Sequence, residues 1–191
     1  MKFLTKNRDS DIFTEGYEYR KNVDNSALRN KLLLEQKNFC AYTEKYVQEL
    51  DSVEVEHFNS SKKYADDYFN YYAVLRKPNL YKKDEAFKNH AFFESLFFQN
   101  KEEFSQRVQY CDGIYYEVDE NDTEARDLID FLGFNHASLA SHRTKHVHRL
   151  KNIFKTFSKA EISAYFSNHR EELSFITALE IEFDLDFSEI I

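Results

Sequence analysis

The strongest constraint on the fold of this chain is the material available for its core. Phenylalanine and tyrosine supply 19 and 13 of the 191 residues, tryptophan is absent, and 42% of all residues are hydrophobic. A sizeable core can therefore form, and aromatic rings must dominate it. Only three glycines and one proline occur, so long flexible or proline-rich linkers are absent. We predict a compact, mainly helical α+β fold.

The overall charge and the cysteine content exclude several classes of protein. A net charge of -8 argues against a nonspecific nucleic-acid coat, because lysine and arginine drive phosphate binding. A local basic groove remains compatible with that total. Two cysteines suggest a reducing cytoplasm and not a disulfide framework. With no signal segment and no run of 18 apolar residues, we expect a cytoplasmic protein that does not contact membranes.

Local patterns predict most of the secondary structure. Alternating apolar and acidic residues predict a strand over residues 53–58, and Asp112-Gly113 predicts a hairpin within 107–118. Residues 64–76 are predicted to be a loop followed by a helix. A helix over 123–131 should end near Gly133. Further helices are predicted over 27–37, 84–99, 136–157, 158–168 and 169–179.

These elements are predicted to form one compact domain with three parts. Residues 1–24 are polar and are predicted to be an N-terminal arm, residues 25–118 the core, and residues 119–191 a helical C-terminal region. Its last part, 171–191, holds seven acidic groups and no basic one. There Ile181, Phe183, Leu185 and Phe187 alternate with acidic residues, which predicts a strand. This strand would lie at the edge of the chain's own sheet or dock onto a partner's sheet.

The residues that suggest chemistry are one imidazole, one acidic neighbour and two carboxamides within 24 positions. They are Glu56, His57, Asn70 and Asn79. Phosphodiester hydrolysis needs a group that takes a proton from water and a metal that stabilises the leaving oxygen. Histidine suits the first task near neutral pH, and oxygen ligands suit Mg²⁺. Taken singly, either asparagine is better explained as a turn or cap residue.

The order of these motifs resembles a known family. The segment 32–44 matches the opening of small HNH nucleases, in which a helix ending in E-Q-K leads into C-x-Y-C-E. Val-Glu-His-Phe at 55–58, Asp-Tyr-x-Asn at 67–70 and Asn-x-x-Lys at 79–82 follow in the family's order. Residues 125–136 are similar to A-x-x-x-I-x-x-L-G-L-N-H, with Leu139 and Arg143 at the family's spacing. Over about residues 28–150 the chain resembles the PtuB-like HNH endonucleases of Septu and retron anti-phage defence systems.

This resemblance implies a fold, an activity and partners. The fold would be a ββα-metal HNH finger embedded in a helical domain, with a C-terminal helical extension. The activity would be DNA cleavage that depends on Mg²⁺ or Mn²⁺. The partners would be DNA and a PtuA-like ATPase and, in retron systems, a reverse transcriptase with its msDNA.

The resemblance also assigns roles to individual residues. His57 would be the general base and lie at the metal, Glu56 and Asn79 would be metal ligands, and Asn70 would hold the loop that orients His57. Adjacent residues of a flat strand point to opposite faces. Glu56 and His57 therefore converge only if the strand bends, and otherwise Glu54 or Asp67 becomes an alternative ligand.

Basic residues around this set are candidates for contact with nucleic acid. A groove that meets phosphates would be formed by Lys62, Lys63, Arg76, Lys82 and Lys83. The alternative is that they are ordinary surface residues. The segment from His142 to Lys155 is also basic and predicts a helix that faces DNA, a partner or solvent.

The chain departs from the family at its zinc ligands. Two C-x-x-C pairs normally bind a structural zinc, but here only Cys40 remains, and Thr43, Leu75 and Pro78 occupy the other positions. A lone thiolate does not make a closed tetrahedral site, so no structural zinc is expected. Packing by Phe39, Tyr42 and Leu75 would have to hold the finger. Two functions stay open, an active endonuclease and a catalytically inactive HNH-fold scaffold subunit.

Overall fold

A computed structural model describes residues 1–62, 67–87 and 90–191 of the chain. They form an α+β fold with two separate two-stranded antiparallel sheets, β1-β2 and β3-β4. The strands are β1 (Val53–His57), β2 (Tyr71–Leu75), β3 (Val108–Cys111) and β4 (Ile114–Glu117). The helices are α1 (Asp11–Thr14), α2 (Ser26–Glu35), α3 (Arg76–Asn79), α4 (Phe92–Ser95), α5 (Lys101–Arg107), α6 (Thr123–Phe131), α7 (Ala137–Ile153), α8 (Lys159–Asn168) and α9 (Ile176–Phe183).

Elements with a strong local pattern are confirmed. The predicted helices at α2, α6, α7 and α8, the strand at β1 and the hairpin of β3 and β4 all form. The hairpin turns at Asp112 and Gly113, whose φ angles are 43° and 90°. Positive φ at both central turn positions matches the right-handed twist of the flanking strands.

The helix predicted at the end of 64–76 is wrong. Residues 63–66 lie outside the described part of the chain, and from Tyr71 the backbone forms β2. All five residues of β2 are buried. A strand that is buried on both faces shows a continuous apolar run instead of alternation, so periodicity does not separate it from a buried helix.

The single helix predicted over 84–99 is also wrong. Residues 88–89 lie outside the described part, and the remainder forms only the short helix α4 and one 3₁₀ turn, Phe97–Gln99. Leu96 separates the two, with a φ of 50°. Because of this break, two pairs of adjacent phenylalanines point into the core. In one straight helix, neighbouring positions point about 100° apart, so the four rings would not all face the core. The buried residues are Phe92, Phe93, Phe97 and Phe98.

The C-terminal strand predicted over 181–187 does not form. A 3₁₀ turn and α9 replace the predicted helix over 169–179, α9 continues to Phe183, and Asp184 ends it with a φ of 50°. The acidic residues of this segment pair with bases of the same chain. The pairs are Glu172 with Arg149, Glu180 with Lys2, Glu182 with Lys151 and Asp184 with Lys159. Alternation therefore reflected an amphipathic helix followed by a turn that buries Phe187.

Two hydrophobic clusters lie on either side of β2. The larger one includes residues from Met1 to Phe187, so the first residues of the predicted N-terminal arm pack into the core. The smaller one joins Tyr71 and Ala73 of β2 to α2 and to Ile12 of α1. Because side chains of a strand alternate between its two faces, β2 contributes buried residues to both clusters. Its hydrogen-bonded partner β1 is thereby held between the two clusters.

Gly133 ends α6 as the sequence predicts and also brings the segment after α3 close. The amides of Gly133 and Phe134 donate to the carbonyls of Asp130 and Ile129 over 3.1 Å each, as in a Schellman motif. The φ of Gly133 is 62°. A Cβ there would lie 2.6 Å from the carbonyl oxygen of Tyr81. Only glycine permits this approach, which positions residues 81–83.

We predict that Gly133→Ala lowers the free energy of unfolding by about 3 kcal/mol, because left-handed backbone strain and steric overlap with Tyr81 add. Gly16→Ala is the matched control. Gly16 has a φ of 69°, but no atom lies within 4 Å of the position that a Cβ would take there, so we expect a loss of only about 1 kcal/mol. Urea unfolding followed by circular dichroism measures both. Equal losses would show that the contact with Tyr81 contributes nothing.

Candidate functional site

The candidate site is built on β1, β2 and α3. Glu56 pairs with Tyr72 and His57 with Tyr71 in an antiparallel register that is regular to the end of β1. Helix α3 begins directly after β2, at Arg76. Since β1 does not bulge within this register, its side chains alternate between the two faces.

One face of β1 presents two carboxylates to α3. The Asn79 amide nitrogen Nδ2 lies 2.9 Å from Glu56 Oε2 and 3.3 Å from Glu54 Oε2. The structure thus brings together Glu56 and Asn79, two of the predicted metal ligands, and adds Glu54. Asp67, the other alternative ligand, instead accepts from the amide of Phe69 over 3.0 Å.

Lys82 closes this carboxylate group from the side of the core. Its Nζ contacts Glu56 Oε1, lies 2.8 Å from Asp84 Oδ1, and donates to the His57 carbonyl oxygen over 2.7 Å. The Lys82 side chain is only 1% exposed. The prediction that Lys82 contacts nucleic acid is therefore wrong for this conformation, because its ammonium group is already enclosed by carboxylates.

His57 points to the other face of β1. Its ring packs edge-on against Tyr19, at 4.7 Å between centroids, and against Tyr71, at 5.5 Å. The imidazole therefore does not share the face on which Glu56 meets Asn79. The peptide bond between them links the two residues, and Lys82 contacts both.

Asn70 holds the loop that follows His57. The carboxamide oxygen accepts from the amide of Asn59 over 2.7 Å, and the carboxamide nitrogen donates to the Asn59 carbonyl oxygen over 3.0 Å. The Phe58 amide donates to the Asn70 carbonyl over 2.9 Å. Asn70 is buried, so it fixes the backbone directly after the imidazole.

The Glu54, Glu56 and Asn79 side chains carry oxygen donors of the types that a hard divalent cation takes, while the Asn79 carboxamide turns its nitrogen Nδ2 toward the two carboxylates. Within the described residues, Asn79 Oδ1 is buried and accepts no hydrogen bond, although buried acceptors are normally satisfied. It lies on the residue that contacts the Glu54 and Glu56 carboxylates. Oxygen donors of these types are ligands of Mg²⁺. No group of three or more His, Cys, Asp or Glu side chains that could hold a metal occurs in the same part of the chain, so such a site depends on Asn79.

The other predicted nucleic-acid contacts are scattered. Lys62 is exposed in a 3₁₀ turn. Arg76 is 65% exposed and lies 3.5 Å from Glu54, and Lys83 is 51% exposed and lies 3.7 Å from Asp130. Lys63 lies outside the described residues. Arg76 is thus the member of the set that is both exposed and adjacent to the carboxylates.

The basic surface predicted along α7 is largely occupied by internal contacts. Arg143 is 2% exposed and donates to the carbonyls of Gly113 and Phe134. Arg149 and Lys151 pair with acidic residues of the C-terminal segment. Lys145, and Lys155 just beyond the end of α7, are the exposed lysines of this segment that make no ion pair within the described residues, so α7 is not a continuous basic face.

Two of the four positions that hold zinc ligands in the resembled family, Cys40 and Leu75, are buried in the larger cluster. Cys40 is buried, and its Sγ accepts a hydrogen bond from the Leu75 amide over 3.3 Å. Phe39, Tyr42 and Leu75 are all buried in the larger cluster. The thiol therefore ties the segment before β1 to the end of β2.

Sequence reasoning missed the central role of Lys82. Its spacing of three residues from Asn79 would place both side chains on one face of a helical turn, which is the pattern that could have revealed it. Comparisons of the chain with protein-family models, curated proteins and solved structures gave no match. Among the described residues, no helix is long and apolar enough to cross a membrane.

We predict that Lys82→Met lowers the free energy of unfolding by about 2 kcal/mol, because it leaves the Glu56 carboxylate, only 15% exposed, without its counter-charge. Lys83→Met, at the neighbouring exposed position, should change it by less than about 0.5 kcal/mol. Thermal and urea unfolding of both variants tests the difference. Indistinguishable stabilities would mean that Glu56 and Asp84 do not require the ammonium group.

Proposed function

We propose that this chain is a metal-dependent HNH-type endonuclease that hydrolyses DNA phosphodiester bonds, built on a ββα-metal finger formed by β1, β2 and α3. The observation that carries the proposal is the contact between the Asn79 carboxamide and the Glu56 carboxylate, on a carboxamide whose oxygen Oδ1 is buried and accepts no hydrogen bond within the described residues. Strand, strand and helix follow in the order the resemblance implies. Glu56 and Asn79, two of the residues that resemble the family's ligands, thus meet across 22 intervening positions of sequence.

The carboxylate face is the metal side of the proposed site. Glu56 and Asn79 would hold Mg²⁺ or Mn²⁺, with Glu54 as a further oxygen donor. The bound cation supplies stabilisation of the negative charge that develops on the leaving oxygen. Lys82 already neutralises Glu56 in the structure described, so binding of a dication requires its ammonium group to withdraw toward Asp84 or the His57 carbonyl, both of which it also contacts.

His57 is the proposed general base, and its position on the opposite face of β1 has a chemical reason. In an in-line displacement at phosphorus the attacking and leaving oxygens lie on opposite sides. The base must therefore approach from the side opposite to the group that stabilises the leaving oxygen. His57 is the last residue of β1, and a phosphate across this strand end would lie between the imidazole and the carboxylate face.

Two other residues would position this machinery. Asn70 fixes the loop after His57 through Asn59, and so limits how far the imidazole moves along the strand axis. Tyr19 and Tyr71 limit the rotation of its ring. The assignment to an anti-phage system with a PtuA-like ATPase rests on the sequence resemblance, and a partner that controls cleavage would account for a nuclease of net charge -8.

A catalytically inactive scaffold subunit is the second candidate. The specific observation in its favour is the same separation of His57 from the Glu56–Asn79 contact, together with the Lys82 ammonium group in the carboxylate site. In this alternative, Lys82 is a permanent structural counter-ion, and the chain contributes only a binding surface to a complex.

We predict that purified protein nicks supercoiled plasmid DNA in Mg²⁺ or Mn²⁺, alone or with a PtuA-like ATPase, and that EDTA abolishes nicking. His57→Ala should lower the rate by about 10²- to 10⁴-fold, because it removes the general base. His148→Ala, on the exposed side of α7, is the matched control and should cleave normally. Agarose gels resolve nicked from supercoiled plasmid.

A separate measurement tests the metal side without activity. Mn²⁺ binding followed by electron paramagnetic resonance should weaken in Glu56→Gln and in Asn79→Ala while circular dichroism shows an intact fold. Absence of nicking under every condition, with retained binding of the ATPase, would overturn the nuclease and favour the scaffold. Cleavage that persists in His57→Ala would overturn the assignment of the base.

A further inference from the structure

A cleft of about 780 Å³ lies beside α3, and the carboxylates of β1 do not line it. Its walls are α3, the first two turns of α7 and the segment that leads into β1. This volume is in the range of pockets that bind ligands. We name it the α3–α7 cleft. Its charged and hydroxyl-bearing lining is formed by Thr43, Lys45, Asp51, Ser52, Arg76, Lys77, Ser138, Ser141, His142 and Lys145.

The charge of this cleft is opposite to that of the chain. Lys45, Arg76, Lys77 and Lys145 contribute four cations, whereas Asp51 is its only acidic lining residue in the described part of the chain. Asp51 is paired with Lys45, at 2.9 Å. In a protein of net charge -8, such a local concentration of positive charge attracts anions by focusing the field within a concave surface.

Two of the four cations are uncompensated. Lys77 and Lys145 are exposed and make no ion pair within the described residues. Arg76 is held only loosely, 3.5 Å from Glu54. Burial lowers the pKa of His142, and the neighbouring Lys45 and Lys145 lower it further. An anion bound in the cleft could therefore contact the ammonium groups of Lys77 and Lys145, which pair with no other group of the described chain.

The cleft also adjoins the proposed catalytic site. Helix α3 contains both Arg76 and Lys77, which line the cleft, and Asn79, which contacts Glu56. Its four residues span roughly 6 Å at 1.5 Å per residue. That distance covers about two successive phosphates of one strand of duplex DNA, since backbone charges of one strand recur at about 3.4 Å along the helix axis.

We propose that the α3–α7 cleft binds the phosphodiester backbone of the nucleic acid adjacent to the scissile bond, with Arg76, Lys77 and Lys145 contacting its phosphates. The inference rests on the proposed function, because it places the bound strand next to Glu56 and Asn79. The first turn of α7 brings Ser138 to the same cleft, at the positive end of the helix dipole, which favours an anion. Ser138 and Ser141 add hydroxyl donors.

The test measures binding without cleavage. A fluorescein-labelled DNA oligonucleotide is titrated with the full chain in EDTA, and anisotropy is recorded over a range of KCl concentrations. Lys77→Gln/Lys145→Gln should weaken binding and reduce the slope of log affinity against log salt by about 2, one for each lost phosphate contact. The matched control is Lys21→Gln/Lys37→Gln, which removes equal charge at exposed positions outside the cleft and should keep the wild-type slope.

The outcomes separate this inference from the proposed function. If wild-type protein nicks plasmid but the cleft variant binds like its control, the cleft assignment is wrong and the nuclease stands. If binding depends on the cleft but no condition gives cleavage, the cleft stands and the nuclease does not. ATP and inorganic phosphate serve as competitors. A mononucleotide that binds as tightly as the oligonucleotide would overturn the assignment to a polynucleotide backbone.

Discussion

The architecture around the candidate site depends on the burial of Phe58, the residue directly after β1. Its ring lies within 6.5 Å of six other aromatic rings, Tyr42, Tyr72, Phe92, Phe93, Phe98 and Phe131. Aromatic pairs in such arrangements add stability beyond the area they bury. Because Phe58 is fixed, the peptide between Glu56 and His57 has little freedom, and each of the two side chains is committed to one face of the strand.

The same constraint explains how charge is distributed around β1. On one face, two carboxylates of a strand meet a helix and a buried lysine, and on the other face an imidazole meets tyrosine rings. Burying Glu56 beside the core is costly unless a counter-charge or donors accompany it. Lys82 and Asn79 supply both. The site therefore already contains a cation, the Lys82 ammonium group. Catalysis with a metal ion requires that the metal replace this ammonium group beside Glu56.

Many acidic residues of this chain form ion pairs with basic residues of the same chain. Residues of the C-terminal segment neutralise Arg149, Lys151 and Lys159, which removes most of the positive potential of α7. What remains is concentrated beside α3, where Lys77 and Lys145 have no acidic partner among the described residues. A small basic cleft in an acidic protein favours a local contact with a nucleic-acid strand over nonspecific coating of DNA.

Local sequence determined the elements whose pattern can be read without knowledge of tertiary contacts. These are the capped helix α6 with Gly133 after it, the Asp-Gly hairpin, and the strand at 53–57. It also determined which residue types are available for chemistry. Tertiary structure decided the rest. Whether Tyr71–Leu75 is a strand depends on apolar partners on both faces, which no local period records. Three features depend on contacts between residues distant in sequence. They are the position of Glu54 beside Glu56, the face to which His57 points, and the charges that Lys82 meets. The energy of these contacts depends on how deeply they are buried.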